Sequence, residues 1–107
     1  MNLINLVKPI IELSVCAGES ILKIYDTEFE IDEKKDSTPL TEADLQSHNI
    51  IVSGLKSITP DIPIISEEEK LESFSSRKSM RRYWLIDPLD GTREFINKNG
   101  EFTVNIA

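Results

Sequence analysis

Tyr83-Trp84-Leu85-Ile86-Asp87-Pro88-Leu89-Asp90-Gly91-Thr92 joins an apolar run to two aspartates, a proline, a glycine and a threonine. A short apolar run before turn residues predicts a buried strand that ends in a tight turn. Strand ends that open onto turns are frequent ligand sites in α/β proteins. Unpaired, Asp87 and Asp90 at such an end repel each other and resist burial. A divalent cation would neutralise them.

Upstream, Ile62-Pro63-Ile64-Ile65-Ser66 reads as a second strand that runs into Glu67-Glu68-Glu69-Lys70. It has the same form, an apolar strand followed at once by carboxylates, although a solvated acidic turn would look no different. Downstream, Thr92 stands near the start of a helical turn at Arg93-Glu94-Phe95-Ile96. Asn97-Lys98-Asn99-Gly100 is turn chemistry, and Glu101 to Ala107 is the next strand.

Thr38-Pro39-Leu40-Thr41-Glu42-Ala43-Asp44 is a helix start. Thr41 is a good N-cap and Asp44 sits at the third helical position, as in a capping box. The helix is expected to reach about Ile58, with Leu45, Val52 and Leu55 on one face and Ile51 beside them. His48 falls on the Leu45 face and reads as a packed or partly exposed helix residue. Capping alone accounts for Asp44.

An earlier helix is expected over residues 3–24, with apolar positions at Leu3, Leu6, Val7, Ile10, Leu13, Ala17, Ile21 and Ile24. Pro9 places its regular part from Asn5 to Lys8 onward. Gly18 allows close packing, and Cys16 reads as a small core residue. Residues 25–37 alternate Phe29 and Ile31 among acids, which fits an edge strand or a hairpin; a solvated loop is the plainer expectation. Residues 70–82 read as a surface connection whose Arg77, Lys78, Arg81 and Arg82 form a solvated basic face or attract an anion.

A length of 107 residues bounds one small domain with a core. A net charge of −7 excludes a nucleic-acid phosphate surface as partner. A single cysteine cannot form an internal disulfide, which fits a reducing compartment. No stretch approaches the roughly 20 apolar residues of a membrane span, and the first residues lack the shape of a signal peptide. A cytoplasmic protein without a membrane span is the expectation. The alternation Phe102-Thr103-Val104-Asn105-Ile106-Ala107 reads as a strand stopped midway. Residues 1–107 are therefore expected to be the N-terminal part of a longer protein.

Glu67, Asp87 and Asp90 place three carboxylates at strand ends. Hard oxygen ligands suit magnesium rather than zinc. The Leu89 carbonyl can join them, and Gly91 lets backbone approach a phosphate closely. Thr92 offers a hydroxyl at the same place. Two cations about 4 Å apart would activate water and stabilise the leaving oxygen of a phosphate ester. No loop carries acids at the alternating positions of a calcium-binding hand.

Asp87-Pro88-Leu89-Asp90-Gly91-Thr92 after Trp84-Leu85-Ile86 resembles the signature of the inositol monophosphatase superfamily of metal-dependent phosphatases. Ser66-Glu67-Glu68 resembles its upstream metal-binding motif, and Pro39 to Asp44 the motif at the start of its second helix. The continuation through Arg93-Glu94-Phe95-Ile96 and Asn99 to Ala107 is similar to the bacterial 3'(2'),5'-bisphosphate nucleotidase branch (CysQ type).

The resemblance implies an α+β, layered, sugar-phosphatase-like fold, here an incomplete N-terminal part with two helices on a mostly antiparallel sheet. It implies that Glu67, Asp87 and the Leu89 carbonyl hold one Mg2+, and that Asp87 also bridges to a second, held by Asp90. These residues, with Gly91 and Thr92, bind substrate. Asp44 and Thr92 are implied as the catalytic pair that orients and deprotonates water. The implied reaction is hydrolysis of the small phosphate ester 3'-phosphoadenosine 5'-phosphate to AMP and phosphate, in sulfate assimilation and nucleotide salvage. Peripheral association with the inner membrane is reported for some relatives. The alternatives are an inositol monophosphatase, and a non-catalytic piece or half of a split enzyme that needs the missing C-terminal half. That half would supply another metal-binding aspartate and cover a sheet edge and an apolar face.

Overall fold

Apolar residues at Ile10, Leu13, Ala17, Ile21 and Ile24 recur at helical spacing, and the chain winds there into helix α1 (Ile4–Tyr25). The computed structural model of the chain describes residues 3–26, 31–33, 39–66, 81–98 and 100–107. The expectations for Phe29, for the acidic run Glu67-Glu68-Glu69 and for Arg77 and Lys78 lie outside these residues.

Helix α1 is regular from Ile4, one residue before the earliest start that Pro9 suggested, and continues through Pro9. Its buried residues are Ala17, Ile21 and Ile24. Leu3 and Val7 were expected beside them but are 60% and 54% exposed. Cys16, expected in the core, is also exposed. At 3.6 residues per turn it points about 100° away from Ala17, off the stripe that meets the rest of the fold.

Strand β1 (Ile31–Glu33) pairs antiparallel with β2 (Pro39–Thr41), with Ile31 opposite Thr41. For residues 31–33 the plainer expectation of a solvated loop fails. The strand exists through a backbone ladder to residues further along the chain, which local propensity does not report.

Strand β2 feeds directly into helix α2 (Glu42–Ile58), which is close to its expected range. Ile51 and Leu55 face inward as expected, but the N-terminal half of the inward face differs. Leu45 is 43% exposed, while Asp44, Ser47, His48, Ile51 and Leu55 are buried. The spacing 44, 47, 48, 51, 55 is a regular helical stripe, but its first half is polar, so apolar periodicity misplaced it. Helix α2 ends at Thr59, whose N–H and hydroxyl both donate to the Leu55 carbonyl, at 2.8 and 2.9 Å. The Trp84 indole N–H donates in turn to Thr59 Oγ1 at 2.9 Å.

Strands β3 (Ile64–Ser66), β4 (Trp84–Asp90) and β5 (Thr103–Ile106) form one sheet in that order. β4 runs parallel to β3 and antiparallel to β5. The separate β1–β2 pair is antiparallel, and the sheet that carries the helices is mixed, with one parallel and one antiparallel pairing. Between β4 and β5 lies the short helix α3 (Thr92–Ile96).

Both long helices cover the same face of the sheet. One cluster joins Ala17, Ile51, Leu55 and Ile86; a second joins Ile21, Ile24, Ala43, Leu89 and Phe95. Tyr25, Phe95 and Phe102 pack against one another in tilted and edge-on pairs, with ring centroids 5.1 to 5.3 Å apart. No helix among the described residues is long and apolar enough to cross a membrane.

Close helix packing occurs at Gly54 rather than at Gly18. A Cβ on Gly54 would collide with the Leu13 side chain, whereas one on Gly18 meets nothing within 4 Å. Gly18→Ala is therefore expected to stabilise the chain by about 0.5–1 kcal/mol through helix propensity. Gly54→Val is expected to destabilise it by about 1–3 kcal/mol through overpacking. Urea denaturation midpoints of the two variants measure both effects.

Candidate active site

Asp87 and Asp90 do not sit in a turn after the strand, as their sequence suggested. β4 continues through Asp90. Its register against β5 pairs Asp87 with Asn105 and Asp90 with Thr103, so Pro88 and Leu89 together oppose Val104 alone. This is a β-bulge, the usual place for a proline within a strand, because proline has no N–H to give the ladder. Its consequence is chemical. Residues three apart in a regular strand face opposite ways. The extra residue restores the phase, and Asp87 and Asp90 come to the face shared by Asn105 and Thr103. The Asn105 side-chain amide donates to Asp90 Oδ2 at 3.2 Å.

The bulge is held from the helix side. The Ser47 hydroxyl donates to the Pro88 carbonyl at 2.7 Å. Pro88 and Leu89 are buried, Asp87 is half-buried and Asp90 is exposed.

Asp44 is fully buried and has two duties. Its Oδ2 accepts from the Thr41 N–H at 2.9 Å and from the Thr41 hydroxyl at 2.6 Å, while the Asp44 N–H donates to Thr41 Oγ1 at 3.4 Å. This is the expected capping box. Its other oxygen, Oδ1, accepts from the Thr92 hydroxyl at 2.8 Å. The Leu89 carbonyl lies 3.3 Å from the same hydroxyl. A hydroxyl has one proton, and the shorter, charge-assisted bond to Asp44 claims it. Capping alone thus does not account for Asp44: residues 48 positions apart meet at one carboxylate.

Gly91 links Asp90 to Thr92 with φ at 94°. A Cβ there would lie 2.7 Å from the Glu101 carbonyl oxygen and 3.3 Å from Phe102 Cα. Buried Phe95 anchors α3 in the aromatic cluster and so fixes Thr92 at its start.

The structure thus brings Asp44, Asp87, Leu89, Asp90, Gly91 and Thr92 to one end of the sheet. Glu67 lies outside the described residues; its predecessor Ser66 is buried and stands opposite Ile86, one residue before Asp87. Among the described residues, no three His, Cys, Asp or Glu side chains come together in a ligand cluster. Asp87 and Asp90 remain as an all-oxygen donor pair. Ser66 belongs to the stretch Ser66-Glu67-Glu68 expected at this end, whereas Ser47, His48 and Asn105 were given no role there. For two of them a signal was present: positions 47 and 48 follow Asp44 by three and four residues and so share its helix face.

Comparison with known proteins identifies this architecture. The sequence profile of the inositol monophosphatase family matches residues 3–107, and the chain belongs to that family. It is 46% identical over 104 residues to the 3'(2'),5'-bisphosphate nucleotidase CysQ of Salmonella typhimurium, covering 95% of this chain and 42% of that protein. Against the Escherichia coli K12 protein of the same name, identity is 48% over 98 residues, covering 90% and 39%. The crystal structure of CysQ from Bacteroides thetaiotaomicron superposes with a TM-score of 0.75 at 43% identity, covering 99% of this chain and 39% of that one. The chain spans about two fifths of the length of the curated relatives it matches.

Gly91→Ala is expected to destabilise the chain by about 1–3 kcal/mol, because it combines a left-handed φ with a clash against backbone. A lowered urea midpoint measures this independently of any ligand.

Proposed function

We propose that this chain carries the water-activating and metal-holding part of a magnesium-dependent phosphomonoesterase of the 3'(2'),5'-bisphosphate nucleotidase type. The observation that carries the reading is the 2.8 Å hydrogen bond from Thr92 to buried Asp44, beside the carboxylates that the bulge turns to one face.

The donor set fits magnesium. Two aspartates and a neighbouring carbonyl are hard oxygen ligands, and a cation that keeps several waters does not need a closed cage. Asp87 and Asp90 would hold it together with Glu67 and the Leu89 carbonyl. When bound, magnesium lowers the pKa of a bound water and offsets phosphate charge.

The chain's own residues act on the proton. Thr92 has given its hydroxyl proton to a hydrogen bond with Asp44 Oδ1, so its lone pairs are free to accept one from water. As water loses a proton to Thr92 Oγ1, Thr92 passes its own to Asp44, and hydroxide is left facing the phosphorus. Gly91 has no side chain, so a phosphoryl oxygen can approach the backbone there.

The substrate reading is 3'-phosphoadenosine 5'-phosphate, cleaved by water to AMP and inorganic phosphate. It is supported by relatives of that activity at 46–48% identity. A second reading is that 1–107 does not turn over alone and needs the polypeptide that makes up the rest of its relatives. Coverage of 42% and 39% of those proteins favours it.

A chimera in which residues 1–107 replace the matched segment of the E. coli relative tests the catalytic roles. Asp44→Asn and Thr92→Ala are each expected to lower its kcat by about 10²–10⁴-fold; near-normal turnover by either variant would overturn the assignment. Chelation of Mg2+ is expected to abolish phosphate release. The unfused chain, offered the bisphosphate and inositol 1-phosphate, is expected to stay near background. Turnover at the chimera's rate would remove the second reading, and a preference for the inositol ester would remove the nucleotidase reading.

A further inference from the structure

His48 Nδ1 lies 2.9 Å from Ser66 Oγ. His48 is 8% exposed and Ser66 1%. A serine hydroxyl both donates and accepts, so the bond forms with either imidazole tautomer. Burial of two polar side chains in contact has an energetic cost that an apolar pair would avoid, and Ile51, next on the same stripe, shows that apolar residues fit this face. What a polar pair adds is a directed bond at a fixed distance.

Its place in the fold indicates what is being directed. Asp44, Ser47 and His48 stand on one face of α2, and each bonds to a different segment of the site. Asp44 takes Thr92, Ser47 takes the Pro88 carbonyl inside the bulge, and His48 takes the last residue of β3. From this we infer that His48 is a positioning residue: through Ser66, which stands opposite Ile86, it fixes the end of β3 beside Asp87. The inference rests on the metal-site reading above, and it adds a residue that neither touches substrate nor ligates.

Binding of Mn2+ alone to the 107-residue chain, followed by loss of the free-ion paramagnetic resonance signal, tests it. His48→Ala and Ser66→Ala are each expected to raise the apparent Kd for Mn2+ by about tenfold or more, the usual effect of removing a partner behind a ligand. The double variant is expected to bind no worse than either single one, because both remove the same link. His48→Asn keeps a polar atom at the Nδ1 position and is expected to bring affinity back to within about twofold of wild type. Urea midpoints are read in parallel. Variants that lose stability but keep wild-type Mn2+ affinity would make the pair a packing contact and overturn the inference. If His48→Ala does not fold, the smaller change Ser66→Ala decides. Wild-type chain that fails to bind Mn2+ would overturn the metal-site reading and this inference with it, whereas wild-type binding with unaffected variants removes this inference alone.

Discussion

Asp87 and Asp90 are an odd number of residues apart, and a regular strand would send them to opposite faces of its sheet. The bulge at Pro88-Leu89 is the constraint that prevents this. Proline favours the bulge because it cannot serve the ladder, and the Ser47 hydroxyl accounts for the carbonyl that is shifted out of register. Gly91, with φ at 94°, then turns the chain so that Thr92 faces back to Asp44. Without the extra residue the carboxylate pair, the threonine and the helix start would not share one end of the sheet.

Helix α2 is the second element on which this depends. Its N-terminal half faces inward with Asp44, Ser47 and His48, and its C-terminal half with Ile51 and Leu55. The apolar half sets the helix on Ala17 and Ile86; the polar half uses that fixed position to hold the segments of the site. Rigid packing behind directed hydrogen bonds is how a small fold keeps side chains within the tolerance that chemistry needs. The Tyr25, Phe95 and Phe102 cluster does the same for α3.

Much of the site was legible in sequence because its parts are local. Asp87 to Thr92 is contiguous, and the capping box at Thr41 and Asp44 is a short-range pattern with its own physics. What misled was also local. A proline and two aspartates look like a turn when the partner strand is unknown, and an apolar count places Leu45 inward because it ignores buried polar residues. Cys16 and Gly18 were misjudged for a related reason: which side of α1 meets α2 depends on the close approach of Leu13 to Gly54, 41 positions later.

The sequence by itself determined the two long helices, the strands β3 to β5, the carboxylates at the strand end and the family to which the chain belongs, since each is encoded in residue types at short spacing. Only the tertiary structure decided that Asp87 and Asp90 share a face and that His48 meets Ser66, and it supplied the bond from Thr92 to Asp44 that the family resemblance implied. These facts depend on strand register and on contacts between residues 15 to 48 positions apart. Register and helix orientation are set by how whole faces bury against one another, and no short window of sequence contains both partners.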